Sequence, residues 1–155
     1  MRLRLVAAGT RLPAWVQQGF DEYARRLRGE FEIELVEIPL GARTASDTAR
    51  AVRKEGERML GALADRPYVV ALQVTGRALS TESLARFVAT RRDEGRDVAF
   101  CIGGPDGLDA AVDARADLRW SLSQLTLPHG LVRVVVAEAL YRAICVLRGH
   151  PYHRA

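Results

Sequence analysis

At 155 residues, 48% apolar and 27% charged, the chain has enough hydrophobic side chains for one domain with a sizeable core, and no compositional shift marks a linker. Its formal charge of +4 permits an anionic partner without specifying one, and Lys54 is the sole lysine among the cations. Cys101 and Cys145 lie far apart inside apolar runs and none of the three histidines pairs with them at ligand spacing, which argues against a structural metal and makes both thiols small buried hydrophobes.

The opening MRLRLVAAGT alternates like a strand and lacks the apolar core and cleavage site of a signal peptide. No apolar run is long enough for an uninterrupted membrane span, so a soluble cytoplasmic protein is expected. Arg2 to Ala7 predicts the first strand. Pro13 then opens a helix whose apolar side is read as Trp15, Val16, Phe20, Tyr23, Ala24 and Leu27. Glu32 to Ile38 alternates with period two and stops at Pro39, completing a strand, helix, strand unit.

After a loop from Pro39 to Ser46, either Ser46 or Asp47 caps a helix through Val52, Met59, Leu60 and Leu63. Its outward face is read as Arg50, Arg53, Lys54, Glu55, Glu57 and Arg58. Tyr68 to Val74 is an apolar run of the kind found in strands buried on both faces, with Thr75-Gly76-Arg77 following it. Ser80 or Thr81 caps the next helix, from Glu82 to about Arg92, and Asp97 to Ile102 is a second buried strand running into Gly103-Gly104-Pro105-Asp106-Gly107. Helices alternating with buried strands predict an α/β fold with a mostly parallel sheet. Its ligands would bind beyond the strand ends, in the loops after Leu72, Ile102 and Leu122.

Leu131 to Leu147 is apolar in nearly every direction of a helix, broken by Arg133, Glu138 and Arg142. Those charges argue against a membrane span, leaving a partner subunit to cover what the chain itself does not. The helix is bracketed by His129 on one side and His150 and His153 on the other, groups that change charge near neutral pH. The closing residues either fray, as termini commonly do, or present an imidazole, a phenol and a guanidinium together.

The glycine run at 103–107 is neither a dinucleotide fingerprint nor a P-loop. The run Ser121 to His129 alternates small polar residues with leucine, as a strand would. The same mixture of hydroxyls, amides and apolar walls suits a nucleoside-plus-thioether ligand better than a free phosphate. On the residues alone, methyl transfer competes with a non-catalytic RNA-binding α/β protein and with an enzyme on another nucleotide cofactor.

Five stretches carry a resemblance: LVAAGT with P-x-W-V-x-x-G-F-x-E-Y, then IGGPDG, SLSQLTLPH, LVRVVVAEALYRA and HPYHRA. In this order and spacing they resemble the SPOUT superfamily of methyltransferases, and within it the members that methylate N3 of a pseudouridine in 23S rRNA. The resemblance spans the whole chain. It implies a single domain over 1–155, with a C-terminal trefoil knot, S-adenosyl-L-methionine pocket and homodimer interface in about 68–155, and no metal. By matching position it implies donor binding at Leu72, Gly103, Leu122, Ser123, Gln124, Leu125, Thr126 and Leu127. It likewise implies a substrate side at His129, Arg142, Tyr152, His153 and Arg154. A chain this short, with no appended RNA-binding module, could recognise only a limited surface alone, so the assembled ribosome is the expected substrate, and no membrane is expected. His153 is then expected to take the N3 proton, with His129 the competing base, Arg142 and Arg154 stabilising charge and Tyr152 orienting the nucleobase. Gly130 departs from the family pattern, where bulkier residues are common.

Overall fold

Successive side chains of a strand point to opposite faces of its sheet, and in β1 (Arg2–Ala8) both sets are covered. Leu3, Leu5 and Ala7 enter one hydrophobic cluster, and Val6 and Ala8 enter the other. The computed structural model describes residues 1–44 and 46–154. Among these, β1 joins β2 (Glu32–Ile38), β3 (Tyr68–Ala78), β4 (Val98–Ile102) and β5 (Leu118–Ser121) in a parallel sheet of order β2-β1-β4-β3-β5. In that register Leu3 lies beside Val98, Leu5 beside Phe100 and Ala7 beside Ile102, so apolar side chains stack row by row across the middle strands.

Parallel neighbours require crossover connections, and these are helices. The face of the larger cluster is covered by α1 (Ala14–Ala24), α3 (Thr81–Asp93) and α5 (His129–Leu147), through residues such as Phe20, Leu84 and Val136. The opposite face is covered by α2 (Thr48–Ala62) and α4 (Ala110–Arg115), through Met59 and Val112. The caps fall on one of each expected pair. Asp47 accepts a hydrogen bond from the Arg50 amide at 3.0 Å, and Ser80 one from the Ser83 amide at 3.0 Å. At the far end of α5, Gly149 adopts φ +67°, and the His150 amide donates back to the Cys145 carbonyl at 2.9 Å. A β-carbon would oppose that left-handed close.

Several expectations are corrected. Trp15 is 54% exposed, because Val16, about 100° round the helix from it, takes the inward position and packs on Gly130. A β-carbon on Gly130 would lie 3.1 Å from Val16 Cγ2, so the bare glycine gives α1 its close approach to α5. Glu55, read as part of an outward face, is only 3% exposed. Thr75-Gly76-Arg77 does not leave the sheet. β3 continues past a register shift between Leu72 and Arg77, and Gly76 lies so near Arg119 that a β-carbon would meet backbone at 2.8 Å. The alternation from Ser121 to His129 is not a strand, since β5 ends at Ser121 and residues 122–128 are loop.

In α5, Val136, Leu140 and Ile144 are fully buried, whereas Leu131, Val132, Val134 and Val135 are half-buried. Arg133, read as an interruption of the apolar run, is 1% exposed and heads the fully buried side chains by volume. No helix of the described residues is long and apolar enough to cross a membrane.

Candidate active site

Beyond the carboxyl ends of β4 and β5, and beside the register shift of β3, lies a cleft of about 490 Å³, within the ordinary range for small-molecule sites. It is lined by Leu72 to Val74 inside β3, where the register with β5 shifts, by the end of β4 at Ile102, by the glycine turn and by the 122–128 loop. Seven of the eight expected donor contacts line it: Leu72, Gly103, Leu122, Ser123, Leu125, Thr126 and Leu127. Gln124 is exposed and does not. Two internal bonds shape the loop, from the Ser121 hydroxyl to the Ser123 carbonyl and from the Leu125 amide to the Ser123 hydroxyl, both at 3.0 Å. They turn Leu125 outward, where it is 72% exposed. Trp120 forms part of the wall and meets Phe100 edge-on, with ring centroids 6.0 Å apart.

His129 is the single titratable side chain lining the cleft among the described residues. It opens α5, and one turn later Arg133 anchors that helix to the sheet. The Arg133 guanidinium donates to Glu37 at 2.9 Å, to the Gly9 carbonyl at 2.8 Å and to the Ala8 carbonyl at 3.2 Å. It thereby joins the start of α5 to the ends of β1 and β2. Burial, and then the positive charges of Arg133 and Arg43, hold the His129 imidazole below its usual range, so its neutral form is favoured.

The other expected catalytic residues form a separate cluster. Pro151–His153 make a 3-10 turn that folds Tyr152 back against Tyr141, with ring centroids 4.7 Å apart. The Tyr152 hydroxyl donates to Glu138 at 3.2 Å, and the same carboxylate oxygen accepts from Arg142 Nε at 2.8 Å. The Arg142 guanidinium lies 4.9 Å from the Tyr152 ring centroid, and Arg26 lies 5.9 Å from it. Burial, followed by the Glu138 charge, pushes the Tyr152 phenol up to about 12. The tail is therefore docked rather than frayed. His153 Nδ1 sits 2.5 Å from the His150 carbonyl, which can only accept, so Nδ1 carries the proton and a neutral His153 keeps its Nε2 lone pair. Arg154 is exposed.

None of Arg142, Tyr152, His153 and Arg154 lines the cleft. The residues gripping the tail, Glu138 and Arg142, lie nine and thirteen positions beyond His129, or roughly 14 and 20 Å along the helix axis at its standard rise. Sequence reasoning missed Trp120 in the wall and Glu138 as organiser of the tail. The (i, i+4) spacing of Glu138 to Arg142 was the available signal for the latter.

The family model described as "Predicted SPOUT methyltransferase" matches residues 1–153. The protein named "Ribosomal RNA large subunit methyltransferase H" of Alkalilimnicola ehrlichii is 55% identical, covering 100% of this chain and 100% of its own. Its namesake in Chromohalobacter salexigens is 54% identical, covering 99% of this chain and 100% of its own. A similar fold occurs in the tRNA (m1G37) methyltransferase from Aquifex aeolicus, with TM-score 0.55 and 15% identity over 92% of this chain and 70% of that one. It occurs again in a probable methylase family protein from Haemophilus influenzae Rd KW20, with TM-score 0.59 and 14% identity over 97% and 69%. A parallel sheet with its cleft at the strand ends and a family match running the length of the chain agree, and the protein belongs to the SPOUT methyltransferase family.

Proposed function

We propose that the protein transfers a methyl group from S-adenosyl-L-methionine to N3 of a pseudouridine in 23S rRNA, on the assembled ribosome in the cytoplasm. The observation that carries this reading is the cleft itself, in which the middle of β3, the glycine turn after β4 and the loop after β5 converge with apolar walls and bare glycine backbone. Among the described residues its lining holds no carboxylate, guanidinium or ammonium. That wall suits a ligand whose bulk is nucleoside and thioether, and it suits a phosphate less well, since apart from the N-terminus of α5 it offers no guanidinium or ammonium to hold one. This favours the donor over a nucleotide cofactor. The relatives named as large-subunit rRNA methyltransferases support RNA as the acceptor.

Leu72, Ile102, Leu122 and Leu127 would hold the donor's apolar parts, with Gly103, Ser123 and Thr126 offering polar and backbone contacts. The bound donor supplies an electrophilic methyl on a sulfonium that departs as a neutral thioether. An imide nitrogen becomes a good nucleophile only as its proton leaves. His153 accepts that proton at Nε2, with its ring fixed by Nδ1–H on the His150 carbonyl. Arg142 and Arg154 stabilise charge developing on the carbonyl oxygens of the base, and Tyr152, its hydroxyl held by Glu138, stacks on or orients the base. His129, neutral and at the cleft, is the competing base.

A cleft and a tail held apart on one chain support a homodimer in which one subunit's pocket works with the other's tail. The half-buried Leu131, Val132, Val134 and Val135 of α5 and the exposed Trp15 supply apolar surface for it. The same proposal includes a trefoil knot within residues 68–155. The test is mass spectrometry of 23S rRNA from ribosomes incubated with the protein and methyl-labelled donor. The label is expected on N3 of one pseudouridine, at a higher rate than on protein-free rRNA. Label on another atom or nucleotide, or equal rates on the two substrates, would contradict the reading.

A further inference from the structure

We propose that Arg43, seated on the buried carboxylate of Glu55, is a positioning residue for the donor pocket, tethering Asp106 and so fixing the glycine turn that lines the cleft. This rests on the reading of the cleft as the donor site, but neither Arg43, Glu55 nor Asp106 lines it.

The turn closes through the Gly107 amide, which donates to the Gly104 carbonyl at 3.1 Å. Gly103, Gly104, Pro105 and Gly107 all face the cleft. Asp106 is the one member of the run that does not. Its carboxylate accepts from Arg43 Nε at 2.7 Å. The rest of that guanidinium is committed elsewhere: Nη1 donates to Glu55 at 2.8 Å and to the Gly41 carbonyl at 3.1 Å, and Nη2 donates to Glu55 at 3.3 Å. Glu55 is 3% exposed and also accepts the Gly41 amide at 3.0 Å. A carboxylate so buried needs its partner, which sets where Arg43 stands whether or not Asp106 is present.

The support behind the turn is equally close. A β-carbon on Gly104 would lie 3.0 Å from Leu40 and 3.4 Å from Glu55 Oε1, and one on Gly56 would lie 2.4 Å from Asp109. The middle of α2, through Glu55 and Gly56, together with Leu40 thus backs residues 103–109 closely. The Arg43–Asp106 contact is its single charged link to the turn's tip among the described residues. Asp106 is about two-fifths exposed, and a pair that open adds little to overall stability. Its effect is to restrict the turn to the conformation that forms the cleft wall. Donor affinity scales with the fraction of molecules in that conformation.

Asp106→Ala cuts the link while leaving Arg43 on Glu55. In the intact protein the Km for S-adenosylmethionine and the Kd for S-adenosylhomocysteine, measured by calorimetry, are expected to rise about fivefold. The kcat at saturating donor, the Km for ribosomes and the melting temperature are expected to stay as in wild type. Arg43→Lys, which keeps a cation for Glu55 but loses the fork, should weaken donor binding in the same direction, and the double variant should be no weaker than Asp106→Ala alone. Wild-type protein that bound neither ligand would overturn the donor reading of the cleft. Wild type that bound both, with Asp106→Ala its equal, would overturn the tether alone. A fall in kcat and melting temperature at unchanged donor Km would reduce the contact to plain scaffolding and also overturn it.

Discussion

Replacing Arg133 with methionine removes the side chain that ties α5 to the ends of β1 and β2. Two buried backbone carbonyls, Ala8 and Gly9, then lose the guanidinium donor held at 3.2 and 2.8 Å. Each buried acceptor left unpaired costs about 1–3 kcal/mol. The third partner, Glu37, is 36% exposed at its side chain and can return to water, so its loss contributes under about 0.5 kcal/mol. Against these losses stands the relief of a buried cation whose Nε has no partner. The net expectation is a destabilisation of about 3 kcal/mol, a large share of a domain stability of about 5–15 kcal/mol. For a chain of this size that corresponds to a melting temperature lower by roughly 6–12 °C. Urea unfolding at fixed protein concentration measures it, since any dimer makes the midpoint concentration-dependent. Glu37→Gln, run beside it, should cost under about 1 kcal/mol because the carbonyl bonds survive. An Arg133→Met midpoint equal to wild type, or a Glu37→Gln loss as large as that of Arg133→Met, would refute the argument that the carbonyl bonds carry the anchor.

Three further outcomes follow from the geometry. The folded His129 imidazole titrates below its unfolded value, so the unfolded state binds the proton first. Stability present above about pH 6.5 is therefore lost as pH falls toward the folded value. His129→Gln should flatten that slope between about pH 7 and 5, and identical slopes would contradict the assignment. The Cys101 thiol is pushed up to about 12 by burial, so iodoacetamide should leave it unmodified in the native protein and label it only after unfolding. Labelling of Cys101 at the rate of a free thiol would contradict its place in the core. Gly76→Ala should force β3 from β5, because its β-carbon would stand 2.8 Å from the Arg119 and Trp120 backbone. A loss of at least about 2 kcal/mol by thermal melting is expected, and a neutral effect would show that this close approach is not maintained.

Much of the fold was legible because it depends on local pattern. The apolar runs Tyr68–Val74 and Asp97–Ile102 read as strands covered on both faces; β4 is buried along its whole length, whereas the first run is fully buried only over Val69 to Ala71 and Val74 is 47% exposed. The expected caps were legible for the same reason, since Asp47 and Ser80 are short acceptors placed before apolar spacing. Side chains were misread where tertiary contacts override composition. Glu55 carries charge and so read as outward, and Arg133 read as a break in an apolar run, yet each is buried against a partner that lies 12 and 96 residues away in sequence, respectively. Trp15 read as inward because it is apolar, while the inner position belongs to its neighbour. The alternation after Ser121 mimicked a strand because leucines on the cleft wall and hydroxyls bonding within the loop happen to fall in turn. Of the candidate site, the strand-end loops followed from α/β topology, and the assignment of single residues came from the resemblance. Two properties needed coordinates. One is that Glu138 organises Tyr152 and Arg142, and the other is that this cluster stands away from the cleft of its own chain.

That separation underlies the proposed two-chain active site, and mixing two damaged variants of the protein tests it most directly. Thr126→Trp obstructs the cleft on an exposed loop, and His153→Ala with Arg154→Ala disables the tail. Each variant alone is expected to be inactive in methyl transfer to ribosomes. Equal amounts, unfolded and refolded together, give mixed dimers in which one intact cleft faces one intact tail, restoring about a quarter of the wild-type rate. A mixture as inactive as its two components would mean that each tail serves its own subunit's cleft, and the two-chain active site would be wrong.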